Sequence, residues 1–301
     1  MAWHIINVFA YEMELGYNST YQQQYKLFRR NITMKKLLAL VLTLSLCLCC
    51  SVALAQTVKV GVVGENNEQW EQVIIPTLAK EGIDIELVKF SDYIMPNIAL
   101  ADGEVDLNAF QHYNFMNNWS KENGTELVAV CDTLIAPLCI YSEKYASLDE
   151  VKDGDGIAIM NDVVNEARAL RMLEAAGLIK LADDITELAT VADIVENPKG
   201  LQFFEMEAAL TASMMSDPSV HIAFLNGTHA KDAGLSNDQA LYMEQYDPNN
   251  PDMHGIINVI AARADRADEA VFARIAEAYH TDEVRELFNT VYKGVYIPAW
   301  Q

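Results

Sequence analysis

The residues able to do chemistry fall into a few short clusters. "NDVVNEAR" (Asn161–Arg168) sets Asn165 and Arg168 three apart, so on a helix they share one face beside an apolar face of Val164, Ala167, Leu170 and Leu173. A guanidinium fork can give two parallel hydrogen bonds to a carboxylate. A positive charge near a helix start opposes the helix dipole, so Arg168 either turns to solvent beside a nearby glutamate or faces an anion that belongs there. Read alone, the segment leaves both open. The other clusters are Ser91-Asp92-Tyr93, "NAFQHY" (Asn108–Tyr113) with Phe110 and His112, "LNGTH" (Leu225–His229) with Asn226, and Asn258 in "INVIAARAD". Taken singly, each has a bland reading too: His112 as a satisfied structural histidine, Phe110 and Tyr113 as core rings, Tyr93 as the cap of a loop.

Signatures of catalysis are missing. There is no G-x-S-x-G elbow, no H-E-x-x-H, no P-loop and no G-x-G-x-x-G after a strand. His112, His221, His229, His254 and His280 lack metal-ligand spacing. The many carboxylates are no argument for acid–base chemistry in themselves. The expectation is a protein that is not an enzyme and holds no metal or cofactor.

The elements that would position these clusters alternate. "TVKVGVVGE" reads as a buried strand broken at Gly64, and "NEQWEQVIIPTLAKEG" as a helix ending at Gly82. Strand "IDIELVKF", helix "IMPNIALADGE", strand "VDLNAF" and helix "YNFMNNWSKENG" follow, then strands "ELVAVC" and "LCIYSEKY" around Pro137. The rhythm restarts with strand "GIAIMN" running into the helix that carries Arg168 and ends at Gly177. "LQFFEME", "HIAFLN" and "INVIAARAD" are further strands, and "EAVFARIAEAYHTDEVRELFNTVY" is helical. Such alternation argues for α/β architecture with largely parallel sheets, and its restart after Pro137 for two lobes. The chemical clusters fall at strand ends, where ligands bind in sheets of this kind.

Charge narrows the partners. The chain has a formal net charge of −22 over 301 residues and carries no basic stripe, which argues against nucleic acid and against an anionic membrane surface. "MKKLLALVLTLSLCLCCSVALAQ" (Met34–Gln56) has the two lysines, apolar run and Ala53-Leu54-Ala55 of a secretory signal, with cleavage expected after Ala55. Residues 1–33 then read as an over-extended N-terminus, with Met34 as the start. Leu46, Leu48 and Cys49 stand where a lipoprotein signal wants a small residue before Cys47, Cys49 or Cys50. Removing 1–55 leaves sixteen basic against forty-one acidic residues, a net −25, so the acidity belongs to the exported part. Only Cys131 and Cys139 remain there, and an oxidising compartment leaves open either a disulfide or two buried thiols.

From Thr57 to Trp300 the ordered stretches "IELVKFSDYIMPN", "DLNAFQH", "LVAV", "SLDEVKDG", "VNEARAL", "AAGLIKL", "DIVENPKGL", "NGTHA" and "KGVYIPAW" resemble the methionine-binding lipoprotein family, the solute-binding subunits of methionine ABC importers. The resemblance implies a two-lobed periplasmic-binding-protein fold, type II-like, with a ligand cleft between lobes 57–137 plus 255–301 and 138–254. It makes Arg168 the partner of the ligand carboxylate, gives Asn165, Asn226 and Asn258 contacts to the amino-acid head group, and packs Tyr93, Phe110 and His112 around a thioether. The implied protein is an exported monomer, periplasmic or membrane-tethered, that passes methionine or a related amino acid or short peptide to an ABC permease and ATPase. Rival readings on the same fold are a secreted enzyme and a receptor-docking sensor. The chain departs from the family pattern at Met160, Val163-Val164, Phe115, Thr228-His229 and "MEAALTASMM", and in lacking the lipoprotein cysteine context. These departures spare the head-group residues and bear on side-chain preference.

Overall fold

The computed structural model describes residues 23–24, 56–185, 188–247, 250–293 and 295–300. The expected signal over 34–55, with its three cysteines, lies outside the described residues, as does the segment 1–33 apart from the helical pair Gln23 and Gln24. Residues from 56 onward belong to one compact unit.

Strand β1 (Gln56–Val63) buries Val58, Val60 and Val62 on one face, where they meet Trp70, Ile74 and Leu78. It runs parallel to β2 (Ile83–Phe90) along its whole length, from Gln56 opposite Ile83 to Val63 opposite Phe90. The crossover between them is a wide π-type turn over Gln69–Ile74 leading into α1 (Ile75–Ala79). Helix α2 (Met95–Asp102) is started by Asp92, whose Oδ1 accepts from the N–H groups of Ile94 and Met95 at 2.7 and 2.8 Å. Then come β3 (Leu107–Asn108), α3 (Tyr113–Asn123) and β4 (Leu127–Ile135).

The chain next builds β5 (Cys139–Tyr141), β6 (Gly156–Met160) and α4 (Val163–Ala175). A short antiparallel pair, β7 (Lys180–Leu181) with β8 (Ile194–Glu196), precedes β9 (Gln202–Met206), α5 (Ala208–Thr211), β10 (Val220–Leu225), α6 (Gly227–Asp232) and β11 (Tyr242–Met243). It returns through β12 (Ile257–Arg263), α7 (Ala270–Tyr279), α8 (Asp282–Thr290) and β13 (Ile297–Pro298). Among the described residues the strands form a six-stranded sheet, β13-β4-β12-β3-β1-β2, and a five-stranded sheet, β11-β5-β10-β6-β9. Each has its own apolar core, one around Trp70, Phe272 and Phe288, the other around Ile157, Leu170 and Phe224.

The sheets are mixed, not largely parallel. β12 runs antiparallel to both β3 and β4, and β5 antiparallel to β10 and β11. Alternation reports parallel pairing only where a helix crossover links neighbouring strands. β12 arrives from a distant part of the chain, so nothing local fixes its direction. Cys131 lies in β4 and Cys139 in β5, strands of different sheets, and both are free thiols. Burial pushes them up to about 12 and about 11.

Three buried amides tie α2 to the segment after β3. Asn97 Oδ1 accepts from Asn108 Nδ2 and Gln111 Nε2, both at 2.7 Å, and Asn97 Nδ2 donates to Gln111 Oε1 at 2.7 Å. Gln111 in turn accepts from the N–H of Val259 in β12 at 2.9 Å. Asn97→Ala strips partners from two buried amides, so it should cost about 3 kcal/mol, seen as a lower urea midpoint at unchanged slope.

Candidate functional site

All seven residues singled out from the sequence lie in the wall of one cavity. Tyr93 follows β2, and Phe110 and His112 follow β3. Asn165 and Arg168 occupy the first turns of α4 after β6, and Asn226 joins β10 to α6. Asn258, in β12, forms an isolated antiparallel bridge with His112. Six of them thus sit beyond strand ends or at the start of the following helix, where backbone groups are open and side chains can converge.

Among the polar groups of the wall, Arg168 is only 9% exposed. Its Nε donates to Glu244 Oε1 at 3.2 Å, Nη2 to Glu244 Oε2 at 2.5 Å, and Nη1 to Asn165 Oδ1 at 3.0 Å. The arginine therefore does pair with a glutamate, but inside the protein, not in solvent, and of the two only Arg168 lines the cavity. Three of the five guanidinium N–H groups are engaged this way, which leaves donors on Nη1 and Nη2 for a further partner. Glu244 was not among the expected residues. It is pinned where β11 runs out: its N–H donates to Leu138 O at 2.9 Å and its Oε2 accepts from Leu138 N at 3.2 Å. No motif marks Glu244, and the cue in the sequence is only that a buried arginine needs a counter-charge.

Asn165 is the junction. Its Oδ1 accepts from Arg168 Nη1, from Asn226 Nδ2 at 3.0 Å and from His112 Nε2 at 3.4 Å. An asparagine at a helix start commonly caps its own helix, but the Asn226 side chain makes no cap bond and reaches Asn165 instead. Its own Oδ1 is buried without a hydrogen-bond partner. Such an acceptor is costly to leave bare and calls for a donor. His112 caps α3, its Nδ1 accepting from Phe115 N at 3.2 Å, so the ring proton sits on Nε2. Burial first, and the Arg168 charge second, pull this imidazole down to about 3, so it is neutral.

The rest of the wall includes an aromatic cluster. Tyr93 stacks on Phe110 with ring centroids 5.8 Å apart, and Phe115 meets both edge-on at 6.1 Å. Tyr93 also lies 4.9 Å from the His229 ring, bringing the loop after β2 against α6. Burial raises the Tyr93 hydroxyl, keeping it protonated. The turn after β1 closes on the same helix: Asp232 accepts from Asn66 Nδ2 and from Glu65 N. Gly64 makes this approach possible, with φ of +79° and room for no Cβ, since one would stand 2.4 Å from Asp232 Oδ2. Among the described residues no group of three or more His, Cys, Asp or Glu could hold a metal ion, and no helix is long and apolar enough to cross a membrane.

The NlpA lipoprotein family profile matches residues 58–300. The chain is 39% identical over 246 residues to the D-methionine-binding lipoprotein MetQ of Escherichia coli K12, covering 81% of this chain and 88% of that protein. Among solved structures it resembles the substrate-binding protein of a methionine transporter from Streptococcus pneumoniae, with TM-score 0.76, 41% identity, and coverage of 81% and 96%. It is also similar to a nutrient-binding protein from Burkholderia cenocepacia bound to methionine, with TM-score 0.74, 34% identity, and coverage of 81% and 100%. The two-lobed periplasmic-binding-protein fold is thereby assigned.

His112 gives a pH dependence with a definite sign. The unfolded imidazole takes up its proton below its ordinary 6.5 while the folded one resists until about 3, so stability falls as pH drops through that window. His112→Asn keeps an α3 cap and removes the titration. Urea denaturation should show the variant losing up to about 1.4 kcal/mol per pH unit of the wild-type slope between pH 6 and 4.

Proposed function

The chain belongs to the NlpA lipoprotein family, and on that premise we propose that it is an exported solute-binding protein. It captures methionine or a closely related amino acid outside the cytoplasm and hands it to an ABC importer. The observation that carries the reading is the mixed lining of one cavity. Its wall includes a guanidinium neutralised by Glu244 and the unpartnered Asn226 carbonyl, together with the rings of Tyr93, Phe110 and Phe115.

That pattern suits a zwitterion with an apolar side chain. The α-carboxylate takes the remaining N–H groups of Arg168. The α-ammonium donates to Asn226 Oδ1, with Asn258 nearby on the same wall. A polarisable thioether against aromatic rings is a favourable contact. Neutral His112 adds no charge to the site. No residue of the wall is poised as nucleophile beside a base, which favours binding over catalysis, with ligand returned unchanged.

The lobes of this reading are 57–137 with 255–301, and 138–254. Supporting that division, the six-stranded sheet draws all its strands from the first set and the five-stranded sheet from the second. Asn66 and Glu65 from one set grip Asp232 from the other, and the Lys231 ammonium lies 5.2 Å over the Tyr292 ring. A ligand touching both lobes favours their closed arrangement in proportion to its preference for that state, and the importer reads it. The acting form is a monomer.

The test is a native mass spectrum of the protein purified without refolding, followed by calorimetric titration with L- and D-methionine. An adduct of methionine mass, displaced by added methionine, is expected. Arg168→Ala should weaken methionine at least about 30-fold, since truncating one member of a buried charged contact costs about 2–5 kcal/mol. An adduct of another mass moves the ligand, and wild-type affinity in Arg168→Ala sinks the site.

A further inference from the structure

Asp162, Asn165 and Arg168 stand three residues apart, so α4 carries them along one ridge from its cap inward. Asp162 does not line the cavity. Its Oδ1 accepts from Asn165 N at 2.9 Å, the ordinary helix cap. The same carboxylate does more than a cap requires. It also accepts from the Asn165 side-chain Nδ2, at 2.9 Å through Oδ1 and 3.1 Å through Oδ2.

The consequence lies at the far end of that amide. Asn165 Oδ1 faces three donors from three different elements: Arg168 Nη1, Asn226 Nδ2 and His112 Nε2. If the amide turned over, its NH2 would meet three N–H groups and its oxygen would meet a carboxylate. An anion bonded to the NH2 also pushes electron density toward Oδ1 and strengthens it as an acceptor. With Asn165 oriented, Asn226 has its Nδ2 engaged and its bare Oδ1 left for a ligand, and Arg168 is steadied on its Nη1 side.

We propose that Asp162 is a positioning residue for the amino-acid site, acting through Asn165 to set which polar atoms of Arg168, Asn226 and His112 remain available to the ligand head group. The inference rests on the reading of the cavity as an amino-acid site. It separates a carboxylate that merely starts a helix from one that orients a binding network. The two roles differ in reach: a serine hydroxyl can cap the helix but cannot also hold the Asn165 side-chain amide.

The experiment compares wild type, Asp162→Ser and Asp162→Asn, each expressed from the full chain, by methionine calorimetry and thermal melting. Asp162→Ser should melt near wild type yet bind methionine about tenfold or more weaker, the loss of roughly one to two buried hydrogen bonds. Asp162→Asn, which restores an acceptor of the same reach, should recover most of that affinity. Unchanged binding in Asp162→Ser overturns the proposal, as does a loss of affinity matched by a loss of melting temperature in both variants. Should wild type take up no methionine, the reading of the ligand fails separately. The positioning is then decided by the Asn165 Nδ2 protons in NMR: slow exchange in wild type and Asp162→Asn but not in Asp162→Ser upholds it, and equal exchange in all three overturns it.

Discussion

A guanidinium taken out of water must be answered by charge and hydrogen bonds, because the desolvation of an unanswered ion amounts to several kcal/mol. Arg168 sets that requirement for the whole site. Its answer, Glu244, comes from 76 positions further along the chain and is held by the ladder between β5 and β11 carried one step past its last strand residue. Its second answer, Asn165, comes from its own helix. The pair is electrically neutral, and that shapes what the cavity favours. A lone buried arginine would prefer an anion, whereas one already neutralised prefers a ligand that brings equal and opposite charges.

Much of this was legible in the residues. β2 runs from Ile83 to Phe90 as its alternation implies, and α4 starts where Asp162 offers a cap and an apolar face begins. Six of the seven proposed site residues stand out as polar or aromatic groups beyond strand ends, and the family resemblance joined Asn258, inside β12, to them. Glu244 could not be picked out, since it follows a two-residue strand with no periodicity and finds its partner only in three dimensions. The C-terminal helical stretch is two helices, parted at His280-Thr281. A break was signalled there by Thr281 ahead of Asp282 and Glu283, a helix-start pattern inside what reads as one apolar period. Strand direction was the part least available, because it depends on which distant segment is inserted where.

Several residues serve two purposes, which is why the site is compact. His112 caps α3 with one ring nitrogen and meets Asn165 with the other, so the same bond that starts the helix also chooses the tautomer. The amide cluster of Asn97, Asn108 and Gln111 is fully internal, yet it fixes the short segment that carries Phe110 and His112. Phe110 and His112 are therefore carried by one short stretch of backbone held by the same amides.

The order of strands in the six-stranded sheet has a consequence for how the chain matures. β12 lies in its middle, between β4 and β3, and β13 closes one edge. The first strands therefore cannot complete their sheet until the last forty or so residues have been made, whereas the five-stranded sheet comes from one uninterrupted run. Contacts of such long sequence separation form slowly. A nascent chain of this kind stays incomplete at its leading end until its trailing end exists, and a polypeptide that must be threaded through a membrane before folding is helped by that delay.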